Sequence, residues 1–303
     1  LNVNRRQFIA LSATVAATQA NAAPAEMPLV SFGLITDAQY VDAEPEGERH
    51  FRESIPKLQA AVADLAKEKL PFTLHLGDVI DRDFSSFATI LPLFRPLGHP
   101  VRHLLGNHDF EMAEAEKLKV APTLGMPSDY YTFSESGVKF IMLDTNDVST
   151  YKHPEGSAED LAAEAIMQEL SAAGSKNAKP WNGGLSQTQL EWLDQELTIS
   201  DAAKQATIIC GHHPLMAEEG HHAWKNREII AIIERHPSAR AYFCGHNHAG
   251  GEVILNKLPY ITFKSLLHEP GITAYSVIHV FPDRLVIEGR GRESSRQIPL
   301  RNI

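Results

Sequence analysis

The stretch Leu104-Leu105-Gly106-Asn107-His108-Asp109-Phe110 closes an apolar run, Val101 to Leu105, whose composition predicts a strand, and then presents an amide, an imidazole and a carboxylate in succession. Asparagine offers a neutral oxygen to a hard or borderline metal ion, histidine moves a proton near neutral pH, and an adjacent aspartate can orient or tune that histidine. Taken alone, the tetrapeptide reads better as a polar turn behind a strand. Its meaning depends on whether other ligand-bearing turns meet it.

Four other apolar runs end the same way. Leu29 to Thr36 leads into Asp37-Ala38-Gln39-Tyr40, and Phe72 to Leu76 into Gly77-Asp78-Val79-Ile80-Asp81-Arg82. Ala206 to Cys210 leads into Gly211-His212-His213-Pro214, and Ala239 to Cys244 into Gly245-His246-Asn247-His248. Between the first two runs, Ile55, Leu58, Ala61, Val62 and Leu65 recur at helical spacing within a segment expected to be helical from about Phe51 to Lys69, with Pro71 beyond it. A helical segment near Phe84 to Phe94 returns the chain to Val101. This β-α-β-α-β rhythm places three polar turns at the carboxyl-terminal edge of one sheet, where open α/β sheets bind ligands. Across the five turns the donors are oxygen and imidazole without thiolate, which suits Mn2+, Fe or Zn2+ better than copper or an iron-sulfur cluster.

The intervening segments fill out an α/β plan. Tyr130 to Ser134 and Val138 to Leu143 predict a hairpin around Glu135-Ser136-Gly137, ending at Asp144-Thr145-Asn146-Asp147. From Tyr151 to Pro180 the composition predicts a surface helix between mobile loops. Trp181-Asn182-Gly183-Gly184-Leu185 is a tight turn, after which Ser186 caps a helix over Gln187 to Leu197, with Gln189 available for a capping-box contact. A helix from Trp224 to Arg235 would turn Ile229, Ile230, Ile232 and Ile233 inward, and the tail from Val253 to Ile287 holds three or four strands expected to complete a second sheet.

With 303 residues, 43% of them hydrophobic and 22% charged, the chain has room for one large α/β domain or two small ones. The net charge of -10, with no run of lysine or arginine, excludes nonspecific nucleic-acid binding as the main role and requires a local positive site for any anionic substrate. Asn4-Arg5-Arg6-Gln7-Phe8-Ile9, a mildly apolar run to Ala17 and Ala20-Asn21-Ala22 resemble a twin-arginine export signal with a small-x-small cleavage site. The expected organisation is therefore a leader over 1–22 and one domain over 23–303. The twin-arginine machinery would be a partner and the bacterial periplasm the destination, and the apolar run is too short for a permanent membrane anchor. Cys210 and Cys244 sit two positions before histidines; they could pair in an exported protein, but two small buried thiols are the simpler reading. No G-x-S-x-G elbow, Walker A or G-x-G-x-x-G sequence occurs.

Together D-x-Q, GDxxD, GNHD, GHHP and GHNH, running from Asp37 to His248, resemble the calcineurin-like metallophosphoesterase superfamily. That resemblance implies a four-layer α-β-β-α sandwich with two mixed sheets and two divalent metal ions. It assigns Asp37, Gln39, Asp78 and His248 to one ion, and Asp78, Asn107, His212 and His246 to the other. It also gives His108 the protonation of the leaving oxygen, with Asn107 and His108 beside the substrate and Asp109 orienting or tuning His108. Gln39 departs from the superfamily's histidine. Together with Trp181-Asn182-Gly183-Gly184, Ser186-Gln187, Trp192-Leu193-Asp194 and Gly289-Arg290-Gly291-Arg292, it makes the chain similar to the manganese-dependent ADP-ribose/CDP-alcohol diphosphatases. This implies hydrolysis of the pyrophosphate linkage of nucleoside diphosphate derivatives by a hydroxide held between the two ions, with Mn2+ favoured over Fe or Zn2+.

Arg52 would clamp the distal phosphate or lie solvated on its helix. Tyr40, Phe51, Phe110 and Trp224 could each stack a base or belong to the core. The alternative activities are a broad phosphodiesterase or phosphomonoesterase acting on cyclic nucleotides or simple esters, and a catalytically silent phosphate-ligand binding protein.

Overall fold

The computed structural model describes residues 26–217 and 220–301, so the leader over 1–22 lies outside the described residues. In chain order the strands are β1 (Val30–Ile35), β2 (Thr73–His75), β3 (Val101–His103), β4 (Tyr131–Glu135), β5 (Val138–Met142), β6 (Thr207–Cys210), β7 (Ala239–Cys244), β8 (Gly251–Leu255), β9 (Leu258–Thr262), β10 (Ala274–Val280), β11 (Arg284–Gly291) and β12 (Arg296–Pro299). They form two mixed sheets, ordered β12-β11-β10-β1-β2-β3 and β4-β5-β6-β7-β9-β8. β1, β2 and β3 are parallel, as are β5, β6, β7 and β9.

Each central strand is buried on both faces, which is why it reads as a continuous apolar run. Phe32 and Leu34 of β1, Phe140 and Met142 of β5 and Phe243 of β7 fill the space between the sheets. Phe140 stacks on Phe133 with ring centroids 4.8 Å apart and meets Phe32 and Phe72 edge-on at 5.3 and 5.2 Å. On the outer face of the first sheet, Ile35 and Val277 pack under Leu58, Ala61, Val62 and Leu65 of the helix Ser54–Leu65. On the outer face of the second, Ile141, Ile209 and Tyr242 pack under Leu190, Leu193 and Leu197 of Gln187–Ala203 and Ile229, Ile232 and Ile233 of Asn226–Arg235. These three cores between four layers are the expected α-β-β-α sandwich. Cys210 belongs to the inter-sheet core and Cys244 to the outer one, so the two free thiols point to opposite faces.

Several expectations shift. The tail does not complete one sheet: β8 and β9 extend the second, while β10 pairs antiparallel with β1 and carries β11 and β12 into the first. A free edge of β1 takes the pairing that the strand pattern alone could not allot. The first helix is regular only over Ser54–Leu65, behind a 3-10 turn at Phe51–Glu53. The segment after Ser86–Ile90 tightens into a 3-10 stretch, Leu91–Leu97, where Pro92 and Pro96 remove two backbone donors. The helix capped by Ser186 continues past Leu197 to Ala203 and stops where Lys204 turns left-handed at φ 50°. The Ser136-Gly137 hairpin has both residues at positive φ, as a two-residue loop requires. The surface helix appears as Ala158–Ala172, with Asp160 and Ala163 buried. No helix among the described residues is long and apolar enough to cross a membrane.

Phe140→Ala removes the ring that both sheets share, and should lower unfolding free energy by about 3–5 kcal/mol. A urea denaturation midpoint equal to that of the parent would contradict this packing.

Candidate functional site

Five strand ends converge at one rim of the sandwich: β1, β2 and β3 from one sheet and β6 and β7 from the other. Tight turns aim their side chains inward, and Asp37, Gln39, Asp78 and His246 all hold left-handed backbone at φ 51°, 42°, 56° and 63°. Such conformations are costly for non-glycine residues and persist where the surrounding structure over-determines them. Two glycines provide the necessary clearance. A Cβ on Gly106 would stand 2.1 Å from Asp78 Oδ1, and one on Gly245 would stand 2.4 Å from Asp37 Oδ2.

Asp78 is the hub. Its Oδ1 accepts from the His108 backbone N–H at 2.9 Å, and its Oδ2 lies 2.7 Å from Gln39 Nε2 and 3.2 Å from His212 Nε2. Donor atoms of Asp78, His212 and His246 fall within 4.8 Å of one another, as do those of Asp37, Asp78 and His248, so one carboxylate belongs to two clusters. Asn107 Oδ1 joins the first, 3.1 Å from His212 Nε2 and 2.9 Å from His246 Nδ1. Gln39 joins the second, with Nε2 3.1 Å from His248 Nε2 and a buried Oε1 that has no hydrogen-bond partner.

The donor chemistry fits divalent cations. His212 Nδ1 donates to the Leu76 carbonyl at 2.8 Å, leaving Nε2 turned to Asp78 and Asn107. His248 Nδ1 lies 2.8 Å from His268 Nε2, and its own Nε2 stands 3.7 Å from Asp37 Oδ1. Burial and neighbouring imidazoles hold His246 and His248 well below the ordinary histidine range, so both rings are neutral. Burial, reinforced by Asp78, pushes Asp37 up to about 7 and Asp109 likewise. Against burial, His212 and His108 hold Asp78 well below the ordinary carboxylate range. Three fully buried carboxylates in one rim call for positive charge between them.

Asp109 does not orient His108. Its carboxylate accepts backbone N–H groups of Asp78 at 3.0 Å, Val79 at 2.9 Å, Ile80 at 3.2 Å and Gly106 at 2.9 Å, tying the second and third turns together. In the 3-10 turn His108–Phe110, the two neighbouring side chains diverge. His108 Nδ1 instead faces Glu111 Oε1 at 3.1 Å and Asp81 Oδ1 at 3.6 Å. Burial opposes its charge, but Asp78, Asp81 and Glu111 outweigh burial and push the imidazole up to about 10.

Arg52 is also displaced from its expected place. It is half exposed, held by Asp42 at 2.5 Å and by Glu44. The cleft over the ligand rim, of about 580 Å3, is lined instead by Arg49 and Arg82, together with His108, Trp181, His221 and His268. Asp81 ties both arginines, at 3.9 Å to Arg49 and 3.0 Å to Arg82. Phe51, Phe110 and Trp224 are buried and Tyr40 packs on the helix-side core, whereas Trp181 is 43% exposed at the cleft. Arg49 and Arg82 carried no signal beyond their closeness to the first two turns. Trp181 carried one, as a large aromatic in a polar glycine turn.

A calcineurin-like phosphoesterase family model matches residues 31–250. The chain is 30% identical to the manganese-dependent ADP-ribose/CDP-alcohol diphosphatase of Oryza sativa subsp. japonica, over 89% of this chain and 94% of that one. Identity is also 30% with the diphosphatase of the same name from Homo sapiens, over 88% and 92%. Among solved structures, a dimetal phosphatase from Danio rerio superposes with a TM-score of 0.81 at 28% identity, covering 90% of this chain and 99% of that one.

Asp109→Asn should weaken the fold by about 2–4 kcal/mol, because its amide nitrogen would face two of the four backbone N–H donors, while leaving the pH profile of turnover in place. Glu111→Gln should do the reverse. Loss of that negative neighbour lowers the His108 pKa, so the alkaline limb, where imidazolium is lost, moves to lower pH. Denaturant titration and pH-rate profiles of the two variants check both statements.

Proposed function

The chain belongs to the calcineurin-like phosphoesterase family, and on that premise we propose that this binuclear, manganese-dependent hydrolase cleaves the pyrophosphate linkage of nucleoside diphosphate derivatives such as ADP-ribose and CDP-alcohols. The observation that carries the reading is the sharing of Asp78 between two clusters of oxygen and imidazole donors, with Arg49 and Arg82 among the residues lining the cleft beyond them. In this reading Asp37, Gln39, Asp78 and His248 hold one cation, and Asp78, Asn107, His212 and His246 the other. Two divalent cations held there would offset phosphate charge and lower the pKa of a water enough to supply hydroxide as the nucleophile near neutral pH.

The protein's own groups do the rest. His108, kept protonated by Asp81 and Glu111, gives its proton to the departing phosphate oxygen. A phosphate leaving group needs less of this help than an alkoxide does. The guanidinium groups of Arg49 and Arg82, both anchored on Asp81, meet the phosphate farther from the cations, and the planar fork of arginine suits that contact. Trp181 offers an aromatic face at the mouth for the base. The local cations and arginines answer the opposing field of a chain with a net charge of -10. Arg5-Arg6 and the small-x-small site at Ala20-Asn21-Ala22 support export of the folded protein to the periplasm.

After chelation and restoration with Mn2+, ADP-ribose should yield AMP and ribose 5-phosphate, and CDP-choline should yield CMP and phosphocholine. Both should turn over faster than cyclic AMP or p-nitrophenyl phosphate. Free phosphate as the only product would refute the diphosphatase reading, and tight binding without turnover would make the protein a binding module. Arg49→Ala should raise KM for ADP-ribose about tenfold, equivalent to about 1.4 kcal/mol, with Arg52→Ala near the parent. Equal effects from the two arginines would remove Arg49 from the phosphate site.

A further inference from the structure

His246 meets an amide oxygen at each ring nitrogen. Nδ1 lies 2.9 Å from Asn107 Oδ1, and Nε2 lies 3.0 Å from Asn182 Oδ1. Asn182, from the Trp181-Asn182-Gly183-Gly184 turn, is fully buried, and its Nδ2 donates both hydrogens to carbonyl oxygens, of Asn177 at 3.0 Å and Gly220 at 2.7 Å. Rotating the amide by half a turn would set its oxygen against two acceptors, so the orientation is fixed. Its Oδ1 is therefore an acceptor facing His246, and Nε2 must carry the hydrogen.

A neutral imidazole has one N–H, so a hydrogen on Nε2 leaves Nδ1 bare. That bare nitrogen confronts the Asn107 oxygen across 2.9 Å, two lone pairs that repel unless both bind one cation. The frame that sets this up is stiff. The Asn177 carbonyl also accepts from Trp224 Nε1 at 3.0 Å, Asn177 Nδ2 donates to the Ala223 carbonyl at 2.9 Å, and the Trp224 N–H donates to the Gly183 carbonyl at 2.7 Å. A Cβ at Gly183 would stand 2.5 Å from the Thr145 carbonyl, so the turn needs glycine to sit this close. Asn177 lies in the stretch whose composition predicts mobile loops, yet it is buried and holds this frame.

We propose that Asn182 is a positioning residue that selects the Nε2–H tautomer of His246 and so presents Nδ1 to the second divalent cation. The assignment rests on the dinuclear reading above. Partners that fix a ligating histidine's tautomer typically govern metal affinity by about 10- to 100-fold.

The test compares two variants that lose the amide donors. Asn182→Ala removes the acceptor oxygen as well; Asn182→Asp keeps it and, as the neutral acid that burial against two carbonyl oxygens favours, returns one hydrogen to them. In calorimetric Mn2+ titration of chelator-stripped protein, the parent should bind two ions per chain. Asn182→Ala should weaken the second about 10- to 100-fold with the first unchanged, and Asn182→Asp should retain the second within a few-fold. Long-range proton–nitrogen NMR of the metal-free protein should place the His246 hydrogen on Nε2 in the parent and in Asn182→Asp, with a mixture of tautomers in Asn182→Ala. Equal weakening in both variants would reduce Asn182 to a support of the turn and overturn the proposal, as would parental binding by Asn182→Ala. A parent that binds one ion would overturn the dinuclear reading instead, with the NMR tautomer still deciding the role of Asn182. If Asn182→Ala does not fold, loss of the Nε2 hydrogen or of the second ion in Asn182→Asp overturns the proposal.

Discussion

Asp78 is a fully buried carboxylate that faces two sets of candidate metal donors at once, and much of the rim is arranged around the cost of keeping it there. A buried anion needs hydrogen bonds and opposite charge. The His108 N–H, the Gln39 amide and His212 supply part of that requirement, and divalent cations held there would add to it. The left-handed backbone at Asp78 and the absence of a side chain at Gly106 follow from the same demand for close approach. Asp109, four residues beyond Leu105, accepts from the backbone of the Asp78 turn and so ties the hub in place.

The sandwich provides the stiffness that such turns require. Parallel strands from both sheets end at one rim, and their roots lie in aromatic packing shared between the sheets. Four candidate ligand residues in left-handed backbone would relax in a mobile loop; tied to buried strands, they keep their aim. Charge is graded outward from the hub. Crowded carboxylates lie innermost with the neutral imidazoles of His246 and His248, His108 with its raised pKa comes next, and Arg49 and Arg82, both near Asp81, line the cleft beyond.

The legible part of this protein was the part encoded locally. An apolar run ending in a donor-bearing turn can be read wherever it stands, and five such endings, four of them opened by glycine, implied both the parallel sheets and a metal rim. The Asp109 side chain illustrates the limit. Its neighbour in sequence is His108, but its partners are N–H groups near residue 79, and no local pattern distinguishes those two uses of one carboxylate. Arg52 and Arg49 are three residues apart on adjoining turns of chain. Which one reaches the cleft depends on Asp42 and Glu44 capturing the first and Asp81 drawing in the second.

By itself, the sequence determined the layered α/β class, the order of the donor turns and the kind of ion they suit, because strand burial, helical spacing and ligand chemistry are properties of short segments. Tertiary structure decided what depends on meetings between distant segments. It allotted β10 to the free edge of β1, turned Cys210 and Cys244 to opposite faces, gave His108 its carboxylate neighbours and set Asn182 against His246 across 64 residues. Hydrogen bonds and ion pairs act over a few ångströms of space whatever the separation along the chain, so their partners become known only when the chain has folded.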